Sequence, residues 1–218
     1  MKTLYGIGTG PGDAELLTLK AVRLIKESSV IFAPNNNGKN MALDTVQEFI
    51  EDKKVVLIDF PMGKVSREDY IKAAEIIIKE TPEGEKGIFL TIGDPLIYST
   101  FIYIMEELER ESIKVEIVPG IPSFVAAASI TKTPLTLKGD NFVLCDEFNE
   151  KLLDKVNSIA ILKTSKNKEN ILNSLEKNNF TYKYIKKATL DDEGILLDKE
   201  KILNDKNYIS LIIARKDN

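Results

Sequence analysis

Apolar residues along the first part of the chain follow two different spacings. Short continuous apolar runs, typical of buried strands, occur at "TLYGIG", "SVIFA", "KVVLID", "KGIFLTI" and "KVEIV". Between these runs apolar residues recur at helical spacing, and Leu17, Ala21 and Leu24 thereby predict one face of a helix over residues 15–28. Strands that alternate with helices of this length indicate βαβ units and a mostly parallel sheet.

The pattern changes near residues 136–141, "TLKGDN". Beyond this point the chain is richer in Lys and Asn, with strands predicted at "NFVLC", "SIAILK", "TYKYIKKA" and "YISLIIA" and helices over residues 147–156 and 168–178. We therefore predict two α/β domains. Residues 1–137 form an amino-terminal domain with a mostly parallel sheet, and residues 138–218 form a carboxy-terminal domain with a mixed sheet.

Composition and charge narrow the class of protein. The content of 43% hydrophobic and 29% charged residues is typical of globular proteins. No apolar run is long enough to span a membrane, and the first residues lack the features of a signal peptide, so we expect a cytoplasmic protein without a membrane partner. The net charge of −4 argues against a nucleic-acid surface.

Two residue types are scarce enough to limit the chemistry. The chain has no histidine and one cysteine, Cys145, so we expect neither an intramolecular disulfide nor a Cys/His metal site. Acid–base chemistry near neutral pH must then use Asp, Glu, Lys, Tyr or groups of the substrate. Cys145 ends the apolar run "FVLC", which favours a buried structural thiol over a reactive one.

Three glycine-bearing loops, here called the first, second and third glycine loops, each follow a predicted strand and precede a predicted helix. They are "GIGTGPGD" (residues 6–13), "IGDP" (residues 92–95) and "VPGIPS" (residues 118–123). Ligands of open parallel sheets bind at the carboxyl ends of the strands, and glycine lets the backbone approach a ligand. The three loops together predict one shared ligand site, in which the amides of residues 8–12 can form an anion nest.

Each loop taken alone also has a purely structural interpretation. Asp13 can cap the helix over residues 15–28, Asp94 and Pro95 are a typical helix start, and Pro122 with Ser123 can begin another helix. Known nucleotide motifs do not match. A dinucleotide fingerprint would need glycine where Pro11 or Asp13 stands, and no phosphate-binding P-loop motif occurs.

The three loops in combination resemble those of the tetrapyrrole (corrin/porphyrin) methylases, which use S-adenosylmethionine. "GIGTGPGDAELLTLKA", "GDPLIYST" and "VPGIPSF" are similar to the family's three motifs, and the match continues through "AILK" to "YISLIIA". Within the family, "DFPMG" and "GDPLIYSTFIYIMEEL" most resemble enzymes that methylate carbon 20 of precorrin-2 or cobalt-factor II in cobalamin biosynthesis. Methylation of another ring position or of ribosomal RNA, and a non-catalytic small-ligand-binding module, remain as alternatives.

The resemblance implies a fold, a cofactor and a set of site residues. It implies a homodimer of two-domain subunits that bind a tetrapyrrole substrate, with S-adenosylmethionine in the cleft between the domains and S-adenosylhomocysteine as product. The positions that match the family's cofactor contacts are Pro11, Ile92, Gly93, Asp94, Ile97, Pro122, Ser123, Lys163 and Ala188.

Two residues are candidates for a catalytic role. Tyr98, expected just inside the helix after "GDP", can orient substrate or cofactor, although a packed surface tyrosine is an equal alternative. Lys64 lies where siroheme-forming relatives place a proton-donating lysine, but it also fits a solvated lysine before a helix. Pro34 stands where those relatives have a proton-accepting acidic residue, so that role does not transfer.

Overall fold

The computed structural model of the chain divides into two compact units, Met1–Pro122 and Ser123–Asn218. It describes residues 1–35, 40–61, 65–111, 113–164 and 167–216. No helix within these ranges is both long and apolar enough to cross a membrane.

The strands of the first unit all run parallel. They are β1 (Thr3–Gly8), β2 (Val30–Asn35), β3 (Lys54–Asp59), β4 (Lys86–Thr91) and β5 (Lys114–Val118). Their order in the sheet is β3-β2-β4-β1-β5. The predicted parallel sheet is confirmed, and its order places β4, β1 and β5 side by side with their carboxyl ends at one edge.

Helices cover both faces of this sheet. They are α1 (Leu19–Glu27), α2 (Met41–Thr45), α3 (Arg67–Glu80) and α4 (Phe101–Leu108). Successive strand residues point to opposite faces, so Phe89 packs with Phe101 on one side while Leu90 packs with Leu24 on the other. Burial on both faces explains why β1, β2 and β4 are continuous apolar runs. β3 lies at the edge of the sheet, and its Val55 and Leu57 are exposed although its sequence is equally apolar.

The helix predicted over residues 15–28 begins later than expected. Asp13 accepts a hydrogen bond from the Glu15 backbone N at 2.8 Å and caps only the short 3-10 turn Ala14–Leu16. Thr18 caps α1 by accepting from the Ala21 N at 3.1 Å. The first glycine loop is therefore followed by a turn and not directly by a helix.

The second unit has the predicted mixed sheet. Its strands are β6 (Phe142–Cys145), β7 (Ser158–Leu162), β8 (Phe180–Lys186), β9 (Gly194–Leu196) and β10 (Ser210–Lys216), in the order β6-β7-β10-β8-β9. β6 is parallel to β7, whereas β10 is antiparallel to both β7 and β8. The carboxyl ends of β7 and β8 therefore lie at the same edge of this sheet.

Helices α6 (Lys168–Lys177) and α7 (Lys199–Asn204) pack on one face of the second sheet, and α5 (Ser123–Thr131) packs on the other. The helix predicted over residues 147–156 is present in a shorter form, as the 3-10 helix Glu150–Lys155 and not as an α-helix. β9 and α7 were not predicted. Burial of the Cys145 thiol raises its pKa to about 11, in agreement with a structural role.

Helix α5 groups with the second unit because Ala127 and Ala128 pack against Leu211 of β10. The contact division therefore falls before the compositional change near residues 136–141. The domain boundary between residues 137 and 138 stays a prediction.

Candidate cofactor and substrate site

The three glycine loops meet at the carboxyl edge of the first sheet because they follow neighbouring strands. The Gly93 N donates to the Gly10 O at 2.7 Å, and the Gly10 N donates to the Gly93 O at 3.3 Å. The Gly120 N of the third loop donates to the Asp94 Oδ2 at 3.1 Å. Residues far apart in sequence thus form one cluster of backbone.

Glycines hold this cluster together in two different ways. A Cβ on Gly8 would lie 2.5 Å from both the Gly120 N and the Gly93 O, so Gly8 and Gly120 are required for packing between loops. Gly93 has a φ of +71°, in the left-handed region that favours glycine, and a Cβ added to it would make only an ordinary contact with the Pro122 Cα at 3.8 Å. Gly93 is therefore favoured by its backbone conformation and not by close packing between the loops.

The anion nest predicted at the amides of residues 8–12 is wrong for Thr9 and Gly10. The Thr9 N donates to the Thr91 O at 2.8 Å, and the Gly10 N donates to the Gly93 O. Both amides are used to join the first and second loops, so they do not offer hydrogen bonds to a ligand.

Asp94 does not begin a helix. Its Oδ1 accepts from the Leu96 N at 2.9 Å and its Oδ2 accepts from Gly120, so the carboxylate stabilises a turn and ties it to the third loop. α4 starts only at Phe101. The prediction that Asp94 and Pro95 form its N-cap and first residue is wrong, because the carboxylate is used between loops.

Tyr98 consequently lies in the loop before α4 and not inside the helix as predicted. It has a φ of 48°, and 47% of its surface is exposed. A left-handed conformation is unusual for a bulky side chain and is found mainly where surrounding structure or function requires it. In the second unit, Lys163 and Thr189 share this conformation. Lys163 is itself a predicted cofactor position, and Thr189 follows another, Ala188.

A cavity of about 210 Å³ lies beside the second glycine loop, at the carboxyl ends of β2 and β4. It includes three predicted residues, Ile92, Ile97 and Tyr98. No Asp, Glu, Lys or Arg occurs among the described residues that line it. The others lining it are Pro34, Asn40, Met41, Ala42, Phe89, Leu90, Thr91, Ser99 and Thr100.

Two buried hydroxyls lack a hydrogen-bond partner within the described parts of the chain. They belong to Thr91, which adjoins Ile92, and to Thr189, which adjoins Ala188. Unpaired buried polar atoms are rare in folded proteins. Both adjoin positions predicted to hold the cofactor, so the residues present fit a polar ligand there. The sequence analysis missed both residues, although the polar end of the apolar run "GIFLT" was an available signal.

The predicted cofactor positions fall into two groups. In the first unit, Pro11 is buried at the end of the first loop, Ile92, Gly93, Asp94 and Ile97 follow β4, and Pro122 ends the unit. In the second unit, Ser123 begins α5, Lys163 directly follows β7, and Ala188 lies just beyond β8. Lys64 lies outside the described residues.

Two α/β units, with glycine loops at the carboxyl edge of a parallel sheet, define a fold shared with known methyltransferases. The crystal structure of uroporphyrin-III C-methyltransferase from Thermus thermophilus, complexed with S-adenosylhomocysteine, has a TM-score of 0.70 at 22% identity. The match covers 98% of this chain and 97% of that one.

The sequence comparisons identify the family. The model of the tetrapyrrole (corrin/porphyrin) methylases matches residues 3–202, and the chain belongs to this family of S-adenosylmethionine-dependent methyltransferases. A probable cobalt-precorrin-2 C(20)-methyltransferase from Methanocaldococcus jannaschii is 32% identical over 99% of this chain and 97% of its own. A cobalt-precorrin-4 C(11)-methyltransferase of the same organism is 33% identical over 60% of this chain and 47% of its own.

Proposed function

We propose that this chain methylates carbon 20 of cobalt-factor II or precorrin-2 in cobalamin biosynthesis. The observation that carries the proposal is the 32% identity over nearly the whole length of a relative named for C20 methylation. The motifs "DFPMG" and "GDPLIYSTFIYIMEEL" support the same substrate. Methylation at another ring position is the second candidate, because a C11-methyltransferase matches over a shorter part of the chain.

In this proposal the cofactor binds to backbone at the ends of strands. Pro11, Ile92, Gly93, Asp94, Ile97 and Pro122 hold it in the first unit, and Ser123, Lys163 and Ala188 hold it in the second. Support comes from the left-handed backbone at Gly93, which needs no side chain for packing, and from the unpaired hydroxyls of Thr91 and Thr189 next to two of these positions. When bound, S-adenosylmethionine supplies an electrophilic methyl group on a sulfonium.

The chain's own contribution to the reaction is alignment and exclusion of water. A displacement at the methyl group requires the attacking carbon to approach in line with the leaving sulfur, and holding two reactants in that geometry lowers the barrier by several kcal/mol. The loops joined through Gly10, Gly93 and Asp94 provide a stiff backbone for this purpose. In the proposal Tyr98, at the border of the cavity, orients the substrate.

The proton that leaves the methylated carbon has no charged acceptor among the described residues of the cavity. With no histidine in the chain, we propose that a carboxylate of the substrate accepts this proton.

Product analysis tests the proposed function. The full-length protein is incubated with methyl-¹³C-labelled S-adenosylmethionine and either cobalt-factor II or precorrin-2, and the products are examined by mass spectrometry and carbon NMR. We expect one added methyl group, attached to the meso carbon at position 20. A methyl group on another carbon would support the second candidate, and no methylation of either macrocycle would refute the assignment to this step.

A further inference from the structure

Two of the cofactor positions proposed for the second unit lie on either side of the start of β10. Lys163 directly follows β7, and Ala188 lies just beyond β8, while β10 runs antiparallel between these two strands. The carboxyl ends of β7 and β8 therefore flank the amino end of β10, where Ser210 begins the strand and Ile209 precedes it. Residues at this end of β10 are placed to restrain both positions.

The backbone at both positions has an unusual conformation. Lys163 has a φ of 54°, and the residues before and after Ala188, which are Lys187 and Thr189, have φ values of 49° and 69°. Residues other than glycine rarely adopt this left-handed region, and they persist in it where the surrounding structure fixes them. The geometry of the two positions thus depends on contacts with their neighbours.

The start of β10 supplies such a contact on each side. On the side of β8, the Lys187 N donates to the Ile209 O at 3.0 Å. On the side of β7, Thr164 is the residue after Lys163, and its Oγ1 lies 3.1 Å from the Ser210 Oγ. Thr164 and Ser210 are both buried. Their hydrogen bond therefore joins the chain directly after Lys163 to β10.

Ser210 is itself held by the turn before β10. Its Oγ donates to the Asn207 O at 3.1 Å. Asn207 in turn donates from its backbone N and its Nδ2 to the Asp205 carboxylate, at 2.8 Å and 2.9 Å. A buried network of satisfied hydrogen bonds makes a structure rigid. The contact with Ser210 thus connects Thr164 to a turn that is already fixed.

We propose that Ser210 is a positioning residue, which acts through the hydroxyl of Thr164 to hold the Lys163 backbone in the geometry that binds S-adenosylmethionine. The inference rests on the proposed function, because it takes Lys163 as a cofactor contact. It does not depend on which ring carbon of the tetrapyrrole is methylated. Neither Ser210 nor Thr164 touches the cofactor in this arrangement.

Six proteins test the proposal. They are the wild type, Ser210→Ala, Thr164→Val, the double variant with both changes, Thr164→Ser and the control Ser158→Ala. Ser158 is also a buried serine, and its Oγ donates to the Leu135 O, but it begins β7 at the end opposite Lys163. For each protein we measure the affinity for S-adenosylhomocysteine by calorimetry and the free energy of unfolding in urea.

We expect Ser210→Ala and Thr164→Val each to bind S-adenosylhomocysteine about five- to tenfold more weakly, as for the loss of one hydrogen bond. The double variant should bind no more weakly than Ser210→Ala, because the two hydroxyls act through one contact. Thr164→Ser should keep the affinity of the wild type, since serine retains the hydroxyl. Ser158→Ala should lose stability but keep its affinity, which separates positioning from a general loss of stability.

Two results would overturn the inference while leaving the proposed function intact. One is that Ser210→Ala and Thr164→Val bind S-adenosylhomocysteine as tightly as the wild type. The other is that Thr164→Ser or Ser158→Ala weakens binding as much as Ser210→Ala does. If the wild type itself binds no S-adenosylhomocysteine, the inference fails together with the proposed cofactor site, and that failure appears without any comparison of variants.

Discussion

Asp205, at the residue scale, is a nearly buried carboxylate that holds part of the second unit together. Its Oδ1 accepts from the Tyr184 hydroxyl and from the Asn207 N, each at 2.8 Å, and Lys186 lies 3.4 Å from its Oδ2. Burial acts to raise the pKa of this carboxyl, but the hydrogen bonds from Asn207, Tyr184 and Lys186 outweigh it and lower the pKa to about 2. The ionised carboxylate of Asp205 is therefore stabilised more strongly in the folded protein than in the unfolded chain.

This shift predicts how Asp205→Ala depends on pH. A carboxyl with a lowered pKa contributes stability above its unfolded pKa of about 4, and this contribution is lost as the pH falls through the folded value of about 2. We expect the variant to lose about 2–3 kcal/mol of unfolding free energy at pH 7, and the difference from the wild type to shrink between pH 4 and pH 2. Urea unfolding at several pH values measures it, with the exposed Asp154→Ala as control. If the difference in unfolding free energy between Asp205→Ala and the wild type did not change with pH, the lowered pKa of Asp205 would be contradicted.

At the scale of elements, the contact between the three glycine loops determines the geometry of the candidate site. A Cβ on Gly120 would lie 2.7 Å from the Gly8 Cα and would also meet the Gly93 O, and these backbone atoms cannot move without displacing the loops. Gly84 has a φ of +79° but no atom near its added Cβ, so alanine there tests conformational strain alone.

We expect Gly84→Ala to cost about 1–2 kcal/mol of stability and to leave ligand binding unchanged. Gly120→Ala should cost more and should also weaken S-adenosylhomocysteine binding, because it separates the first and third loops. Calorimetric titration together with urea unfolding measures both effects. If the two variants bound the ligand equally well, the packed loops would not be the support of the cofactor site.

At the scale of the whole molecule, ligand binding should appear as added stability of the full chain. A ligand present at a hundred times its dissociation constant stabilises the folded state by about 2.7 kcal/mol. For a chain of 218 residues this corresponds to a rise in the thermal midpoint of roughly 5–10 °C. We expect this rise with S-adenosylhomocysteine and no rise with NAD, since the dinucleotide fingerprint does not match. Scanning calorimetry measures both, and equal midpoints with and without S-adenosylhomocysteine would contradict the proposed cofactor.

The sequence by itself determined the strands of both sheets except β9, the parallel and mixed character of the sheets, and the membership of the family. These features depend on local apolar patterns and on short motifs, which are readable without knowing what lies next to them. Buried strands such as "KGIFLTI" are continuous apolar runs because both faces are covered, and that pattern does not depend on strand order.

Only the tertiary structure decided how the loops use their residues. The strand order β4-β1-β5 brings Gly8, Gly93 and Gly120 into contact. As a result the Asp94 carboxylate accepts a hydrogen bond from the Gly120 N and does not cap α4. The same contact also leaves Tyr98 in a loop and the Thr91 hydroxyl buried without a partner among the described residues. Such roles depend on atoms dozens of residues away in the chain, so no local pattern contains them.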